Sequence, residues 1–246
     1  MSEPKIYMPE VGFHNKDLDV SAKRLEKNKT YKDLSTIIIC PTRGQIPARV
    51  VQSWMGLLRP MNQKVIGPIF AIGMEVGDAY NYLINMILDN PELSKYKYIL
   101  TIEEDNIPPA DGLLKLYESM DKYDVVQGLY WTKGEGGQPM IYGDPNVVPK
   151  NFIPQIPKLD QVQPANGLGM GFNLFKLDIF KDPKLPKPWF KTMQEAIPGV
   201  GVKCYTQDLY FYENAAKEGY RFACDNRVRV GHYDYAGTAG QPDTVW

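Results

Sequence analysis

Three carboxylates stand together where an apolar stretch of the sequence ends. Tyr98–Ile102 is followed at once by Glu103, Glu104 and Asp105. In a strand, Glu103 and Asp105 point to one face, where two like charges repel unless a cation lies near them. Mg²⁺ and Mn²⁺ bind one or two carboxylates and complete their coordination with water and phosphate oxygens. A divalent-cation site is therefore one interpretation, and a solvated acidic turn is the simpler one for the triplet taken alone.

Two further polar residues stand at predicted element ends. Asp208 lies in the first turn of a predicted helix from Gln207 to Glu218, after Thr206, which can cap that helix. It could be a base aimed at an acceptor hydroxyl, and helix capping explains an Asp there equally well. His232 follows an apolar run and a glycine at a predicted strand end, where imidazole could bind a Mn²⁺-class cation. The other histidine, His14, lies in a polar segment and is interpreted as structural.

Two other stretches carry a chemical pattern. The stretch Lys181–Lys191 combines lysines with Trp189 and Phe190, which suits a polyanion, a flipped base or a stacked sugar ring. A solvated loop with its aromatic rings in the core is at least as good an interpretation. The Gly-x-Gly-x-Gly string at 167–171 leads into a strand, not a helix, which argues against a dinucleotide-binding loop. Its glycines would let the backbone approach a ligand or bend tightly.

Alternating elements must position these residues. Apolar runs predict strands at 36–40, 64–71, 98–102, 125–131, 171–177, 220–224 and 228–230. Helical spacing predicts helices at 46–58, 78–88, 108–120 and 207–218. We expect 132–164 and 182–201 to be irregular, with residues 140–142 pairing at a sheet edge. This order predicts a single α/β domain with a mixed, mainly parallel sheet flanked by helices, and ligands bind such sheets at the carboxyl ends of the strands.

Composition limits the class of protein. The 246 residues carry 28 Lys+Arg and 29 Asp+Glu, so the near-neutral chain does not suit general coating of nucleic acid. Three scattered cysteines favour neither a disulfide framework nor a zinc knuckle and indicate a reducing compartment. No apolar run reaches the ~20 residues of a membrane span. We expect a cytoplasmic protein with a polar extension over residues 1–34, a domain over 35–246 and no membrane partner.

The order of these motifs resembles that of the GT-A-fold glycosyltransferases, particularly family 2-like enzymes, from about Thr36 to His232. The matching segments are Pro41-Thr42-Arg43, Asp78-Ala79-Tyr80-Asn81, Glu103-Glu104-Asp105, Gly167–Phe175, Gln207-Asp208 and His232. Three positions depart from the family pattern. Tyr80 replaces a basic residue, Glu103 replaces the first Asp of the Asp-x-Asp motif, and Gln207 replaces a Glu.

The resemblance implies a role for each matching position. Asp105 and His232 would bind a divalent cation, Mn²⁺ or Mg²⁺, and Asp208 would be the catalytic base, or would orient substrate in a retaining enzyme. The implied donor-binding residues are Pro41, Thr42, Arg43, Asn81, Glu103 and Glu104. Glu103 would contact the ribose or a water on the metal. Gly169 would line the acceptor side, where Trp189 and Phe190 are also candidates.

We therefore expect a metal-dependent enzyme that moves a sugar from a nucleoside diphosphate sugar to an acceptor hydroxyl. The acceptor could be a hydroxymethylated DNA base, as for small bacteriophage members of this class, or a bacterial glycan. A sugar-1-phosphate nucleotidyltransferase is an alternative, but it would carry a glycine-rich basic loop after the first strand, where this chain has only Gly44. A non-catalytic nucleotide-sugar-binding module is a further alternative.

Overall fold

A computed structural model describes residues 32–134, 136–199, 201–238 and 241–245. The helices in these ranges are α1 (Ala48–Met55), α2 (Val76–Asp89), α3 (Gly112–Ser119) and α4 (Gln207–Lys217), with 3-10 turns η1 (Leu93–Lys95) and η2 (Leu177–Lys181). The strands are β1 (Thr36–Thr42), β2 (Val65–Ile72), β3 (Tyr98–Ile102), β4 (Asn106–Ile107), β5 (Val125–Leu129), β6 (Ile141–Tyr142), β7 (Val162–Ala165), β8 (Gly167–Leu168), β9 (Phe172–Lys176), β10 (Met193–Ile197), β11 (Gly201–Tyr205), β12 (Phe222–Arg229), β13 (Gly231–Thr238) and β14 (Gln241–Val245). Residues 1–31, which include His14, lie outside the described residues, and the boundary at residue 35 stays a prediction.

The central sheet has seven strands in the order β2-β1-β3-β9-β5-β12-β7. Strands β2, β1, β3, β5 and β12 run in one direction, whereas β9 and β7 run against them. The connections from β1 to β5 pass through α1, α2 and α3, which is the alternation that places helices on both faces of a sheet. The predicted fold class, an α/β domain with a mixed and mainly parallel sheet, is confirmed.

Both faces of the sheet are buried, and strand β1 shows why the sequence requires this. All seven of its residues are buried. Successive side chains point to opposite faces, so Ile37 and Ile39 join the core beneath α2 and α4, while Ile38 and Cys40 join the core beneath α3. A continuous apolar strand is stable only where both of its faces are covered. The ends of β1 are therefore held rigidly.

Three element boundaries differ from the sequence prediction, each because a backbone partner intervenes. The helix predicted from Pro108 begins at Gly112, since Asn106–Ile107 pair with β13 and the Gly112 N–H donates to the Pro109 carbonyl at 2.9 Å. The two strands predicted over 220–230 form one strand, β12, whose pairing with β5 has a register shift between Asp225 and Arg229. The stretch 182–201, expected to be irregular, contains strand β10, which pairs with β11 in a hairpin.

Smaller sheets complete the described part of the chain. Strand β13 pairs with both β14 and β4, which places His232 opposite Asn106. Residues 141–142 pair with β8, and not with the central sheet. None of the helices in the described ranges combines the length and the apolar character needed to cross a bilayer.

Candidate active site

The predicted site residues meet at the carboxyl ends of the parallel strands. Strand β1 ends at Thr42 and is followed by Arg43, and β3 is followed by Glu103, Glu104 and Asp105. Because β1 and β3 are adjacent and parallel, these ends lie side by side. Pairing of β13 with β4 brings His232 to the same edge, and the Tyr233 N–H donates to the Asp105 carbonyl at 2.6 Å.

Glu104 joins the two strand ends. Its Oε2 accepts from the Thr42 hydroxyl at 2.6 Å and from the Arg43 N–H at 2.8 Å, and its Oε1 accepts from the Arg43 guanidinium. Glu104 is buried, and so are Thr42 and Pro41. The prediction that Glu104, Thr42 and Pro41 contact the donor directly is corrected, because Glu104 and Thr42 bond to each other and Pro41 lies beneath the surface. Arg43, with 72% of its side chain exposed, can meet a ligand.

The side chains of Asp105 and His232, the two predicted metal ligands, face each other. The His232 Nε2 atom lies 3.6 Å from the Asp105 Oδ1 atom. On the other side of the ring, Nδ1 lies 2.7 Å from the Trp131 carbonyl oxygen. A carbonyl can only accept, so Nδ1 carries a proton, and Nε2 is the ring nitrogen turned toward the carboxylate. A ring nitrogen and a carboxylate oxygen therefore face each other across a short gap.

Lys133, which sequence reasoning missed, forms an ion pair with Oδ2, the second carboxylate oxygen of Asp105. Its ammonium donates to Asp105 Oδ2, and the Tyr235 ring lies 5.5 Å from the same nitrogen. Burial by itself would raise the pKa of Asp105, but the hydrogen bonds from His232 and Lys133 outweigh it and hold the pKa below its usual value. Asp105 is therefore ionised in the neutral pH range.

Glu103 lies beside Asp105 in a different environment. Burial first, and then repulsion by Asp105, raises the pKa of Glu103 to about 7. The Tyr80 hydroxyl donates to Glu103 Oε1 at 3.2 Å. The Tyr80 ring is fully buried. Where the resembled family has a basic residue, this chain therefore has a buried hydroxyl that donates to Glu103. Glu103 can thus hold or release a proton near neutral pH.

Asp208 is buried at the first turn of α4. Thr206 precedes the helix, but its hydroxyl donates to Asp208 Oδ1 and does not cap the backbone, which corrects the expected cap. The Leu209 N–H donates to the same oxygen at 2.8 Å. Burial raises the pKa of Asp208 despite these bonds. The charge of Asp208 also contributes to the raised pKa of Glu103, so the two carboxylates interact electrostatically.

The glycine string lies beside this site for a packing reason. A Cβ atom on Gly169 would lie 2.0 Å from the Tyr130 hydroxyl oxygen. That hydroxyl accepts from the Gly171 N–H at 2.9 Å, and the Gly171 carbonyl accepts from the Glu103 N–H at 3.1 Å. Gly169 is buried, so its predicted contact with an acceptor is corrected: it leaves room for Tyr130 and lets the β8–β9 connection approach the end of β3.

Asn81 does not reach the predicted donor site. Its Nδ2 donates to the Phe190 carbonyl at 2.7 Å, and its Oδ1 accepts from the Phe190 N–H at 3.1 Å. Both ends of the amide are therefore used to attach α2 to the segment at 188–190. The donor-binding prediction for Asn81 is corrected to a structural role.

Trp189 and Phe190 do not face an acceptor. Each is 1% exposed, and both rings pack on Phe180 in the core beneath α2 and α4, with Phe190 also stacked on Phe211 at a centroid distance of 4.9 Å. Neither ring has a free face for a sugar or a base. The acceptor-binding prediction is therefore wrong for these two residues, because burial of large aromatic surface in the core stabilises the fold more than exposure would.

The functional residues that sequence reasoning missed are Lys133, Tyr80, Tyr130 and Tyr235. Lys133 had a visible signal, because it follows shortly after β5, a parallel strand whose carboxyl end lies at this edge. Tyr80 stands in a segment that matches the family pattern. Tyr130 and Tyr235 had no signal, because long-range packing alone brings them to Gly171 and Lys133. Within the described ranges, no three His, Cys, Asp or Glu side chains are grouped as a complete metal site.

Comparisons with known proteins bear on the fold. No protein-family model matches the sequence, and no curated protein matches it. Among solved structures, A197 from STIV is similar with a TM-score of 0.56 and 19% identity, over 81% of this chain and 86% of A197. TarS 1–349 from S. aureus has a TM-score of 0.43 and 13% identity, over 77% of this chain and 57% of TarS. At such identities the likeness to A197 shows the fold alone.

Proposed function

We propose that the protein transfers a sugar from a nucleoside diphosphate sugar to an acceptor hydroxyl with the help of a divalent cation. The observation that carries the proposal is the Asp105–His232 pair at the carboxyl ends of the strands, with Asp208 close enough to influence the neighbouring Glu103. In α/β sheets, ligands bind at this edge. A GT-A-like, Rossmann-related fold is consistent with the proposal.

The side chains present fit Mn²⁺ or Mg²⁺. A carboxylate oxygen and an imidazole nitrogen face each other at 3.6 Å, and the second ring nitrogen is fixed by a backbone carbonyl, as it usually is in metal-binding histidines. A cation held by only two side chains keeps its remaining positions for water and phosphate oxygens. When bound, it would supply positive charge against the leaving diphosphate.

The chain's own residues would do the remaining work. Arg43, oriented by buried Glu104, would bind the nucleotide part of the donor. Asp208 would accept the proton of the acceptor hydroxyl, and burial raises its pKa and hence its basicity. General-base catalysis contributes about 10²–10⁴-fold to such a step. The aromatic core position of Trp189 and Phe190 gives no support to a stacked DNA base, so an acceptor glycan is the class to test first.

The test follows release of nucleoside diphosphate from UDP-, GDP- and ADP-sugars with Mn²⁺, with and without a chelator. Asp105→Asn should abolish the metal-dependent release and the metal-dependent rise in melting temperature that a bound donor produces. Asp208→Asn should lower turnover by about 10²–10⁴-fold and keep the donor-induced shift. Asp121→Asn, an exposed carboxylate paired with Lys32, is the matched control and should behave like the wild type.

Four results would contradict the proposal or part of it. Normal metal-dependent turnover in Asp105→Asn would remove the cation assignment, and normal turnover in Asp208→Asn would remove the base. Release of pyrophosphate from a nucleoside triphosphate and a sugar phosphate, without diphosphate release from any donor, would identify the nucleotidyltransferase alternative. Donor binding without turnover on any acceptor, including hydroxymethylated DNA and bacterial glycans, would identify a binding module.

A further inference from the structure

We propose that Lys133 is an exchangeable counter-cation of the site, which rests on the proposed function. Its ammonium holds Asp105 in the ligand-free protein and moves to the diphosphate of the donor when a divalent cation takes its place. Lys133 is thus a donor-binding residue that also sets how tightly the metal binds in the absence of the donor.

The position of Lys133 supports the first half of this inference. Its ammonium contacts Asp105 Oδ2, while His232 Nε2 faces Asp105 Oδ1. The side chain of Asp105 is only 14% exposed, so both partners reach it within a confined space. A doubly charged cation bound to Asp105 would repel the ammonium at this separation. The metal and the lysine therefore compete for one carboxylate.

The surroundings of Lys133 allow it to move. Its side chain is 30% exposed, and the next residue is Gly134, with a φ of 87°. The base of the loop is fixed, because the Thr132 N–H donates to the Gln138 carbonyl and the Gln138 N–H donates to the Thr132 hydroxyl, both at 2.9 Å. A long side chain on a fixed base can exchange partners without a change in the fold. The nearby Tyr235 ring offers the ammonium a second contact.

Charge balance explains why the exchange needs the diphosphate. Without a donor, Glu104 is paired with Arg43 and Asp105 with Lys133, so each of these two carboxylates already has a counter-cation. Adding a divalent cation alone creates an excess of positive charge beside Arg43 and Lys133. A diphosphate brings the negative charge that binds the cation and the released ammonium together. Binding of metal and donor should therefore be strongly coupled, and Lys133 is the residue that couples them.

The test measures two affinities in the full chain and requires them to change in opposite directions. Binding of Mn²⁺ alone is followed by the electron paramagnetic resonance signal of free Mn²⁺. Binding of UDP, GDP and ADP with saturating Mg²⁺ is followed by calorimetry. In Lys133→Met, loss of the competing ammonium should tighten Mn²⁺ binding. The expected change is about 3- to 10-fold, which corresponds to the contribution of a partly exposed ion pair. Loss of the phosphate contact should weaken binding of the preferred diphosphate about 10-fold.

Two further variants make the result specific. Lys133→Arg keeps the positive charge and should not tighten Mn²⁺ binding. Lys176→Met removes a lysine of similar exposure, paired with Asp124 at 2.9 Å at the opposite edge of the sheet, and should change neither affinity. Circular dichroism and melting curves establish that each variant is folded.

Each outcome decides the inference. Weaker binding of both ligands in Lys133→Met would make Lys133 a structural residue and overturn it, and so would two unchanged affinities. If the wild type and Lys133→Met bind no Mn²⁺ while diphosphates still bind, the exchange is wrong but sugar transfer stands. If the wild type binds neither Mn²⁺ nor any diphosphate, the proposed function itself fails and the inference fails with it.

Discussion

At the scale of single residues, the three consecutive carboxylates have three different environments. Glu104 is buried, and both of its carboxylate oxygens accept hydrogen bonds from Thr42 and Arg43. Asp105, in contrast, is kept ionised by Lys133 and His232. Glu103 has a pKa raised to about 7, chiefly by burial. The Glu-Glu-Asp motif is therefore one structural carboxylate, one ionised carboxylate and one group that titrates near neutrality.

The raised pKa of Glu103 predicts a specific dependence of stability on pH. In the unfolded chain Glu103 titrates near 4.5, and in the folded chain near 7, so the folded state holds the proton more tightly. The protonated Glu103 therefore contributes to the unfolding free energy at low pH, and this contribution is lost as the pH rises from about 4.5 to about 7. Glu103→Gln, whose amide oxygen can still accept from Tyr80, should raise the unfolding free energy of the metal-free protein at pH 8 by about 1–3 kcal/mol.

Urea unfolding at several pH values measures this difference. The gain of Glu103→Gln over the wild type should vanish near pH 4, where Glu103 carries its proton in both states. Glu92→Gln, which changes a solvent-exposed carboxylate paired with Lys95, should show no such gain at high pH. A Glu103→Gln variant that is less stable than the wild type at every pH would show that the charge of Glu103 is stabilised in the fold.

At the scale of elements, one amide attaches helix α2 to the segment that carries two core aromatics. Asn81 bonds to both backbone groups of Phe190, and these groups have to be satisfied where they are partly buried. The cost of removing the amide should therefore appear in stability and not in ligand affinity.

Asn81→Ala should lower the unfolding free energy by about 1–3 kcal/mol, because it leaves a donor and an acceptor without partners. Binding of the preferred nucleoside diphosphate should stay within about twofold of the wild-type value. Asn85→Ala, one turn further along α2, removes the bond that Asn85 donates to the Asn81 carbonyl and should cost less, because that bond is to a carbonyl within the same helix. Thermal melting and calorimetry measure both quantities. A large loss of affinity without loss of stability would restore the donor-binding role of Asn81.

At the scale of the whole molecule, the predicted acidic and basic features lie at opposite edges of the sheet. Lys181 and Lys187 line a cavity of about 740 Å³ together with Leu88 and Ser94. Ser94 belongs to η1, just before β3, whereas Asp105 follows the end of that strand. A five-residue strand spans about 17 Å. The lysines from 181 to 187 therefore do not border the candidate active site.

This separation predicts how the lysines affect nucleic acid. Replacing Lys184 and Lys187 with Gln should leave sugar transfer to any acceptor unchanged, including a duplex with hydroxymethylated bases. The slope of log affinity for such DNA against log salt should also stay unchanged, as fluorescence anisotropy can measure. A slope reduced by about 0.9 for each lysine would show that these residues neutralise phosphates, and would support a DNA acceptor held across both edges.

The sequence by itself determined the fold class and the edge of the sheet at which the candidate residues lie. Apolar runs such as Thr36–Cys40 and Tyr98–Ile102 predict buried strands, because no other arrangement covers both faces of such a run. Since carboxyl ends of parallel strands lie at one edge, the motif around Asp105 and the residues after β1 were expected there. His232 was also placed correctly beside Asp105, on the resemblance to the GT-A family.

Only the tertiary structure decided which of these side chains are free to act. Glu104, Asn81 and Gly169 are occupied by partners 61, 109 and 39 residues away in the sequence, and Trp189 and Phe190 are enclosed by the core. Lys133 reaches Asp105 across 28 residues of chain. A local pattern gives the direction of a strand or helix and the charge at its end. The partner that a polar group finds, and so its pKa and its availability, depends on contacts that form only when distant segments pack together.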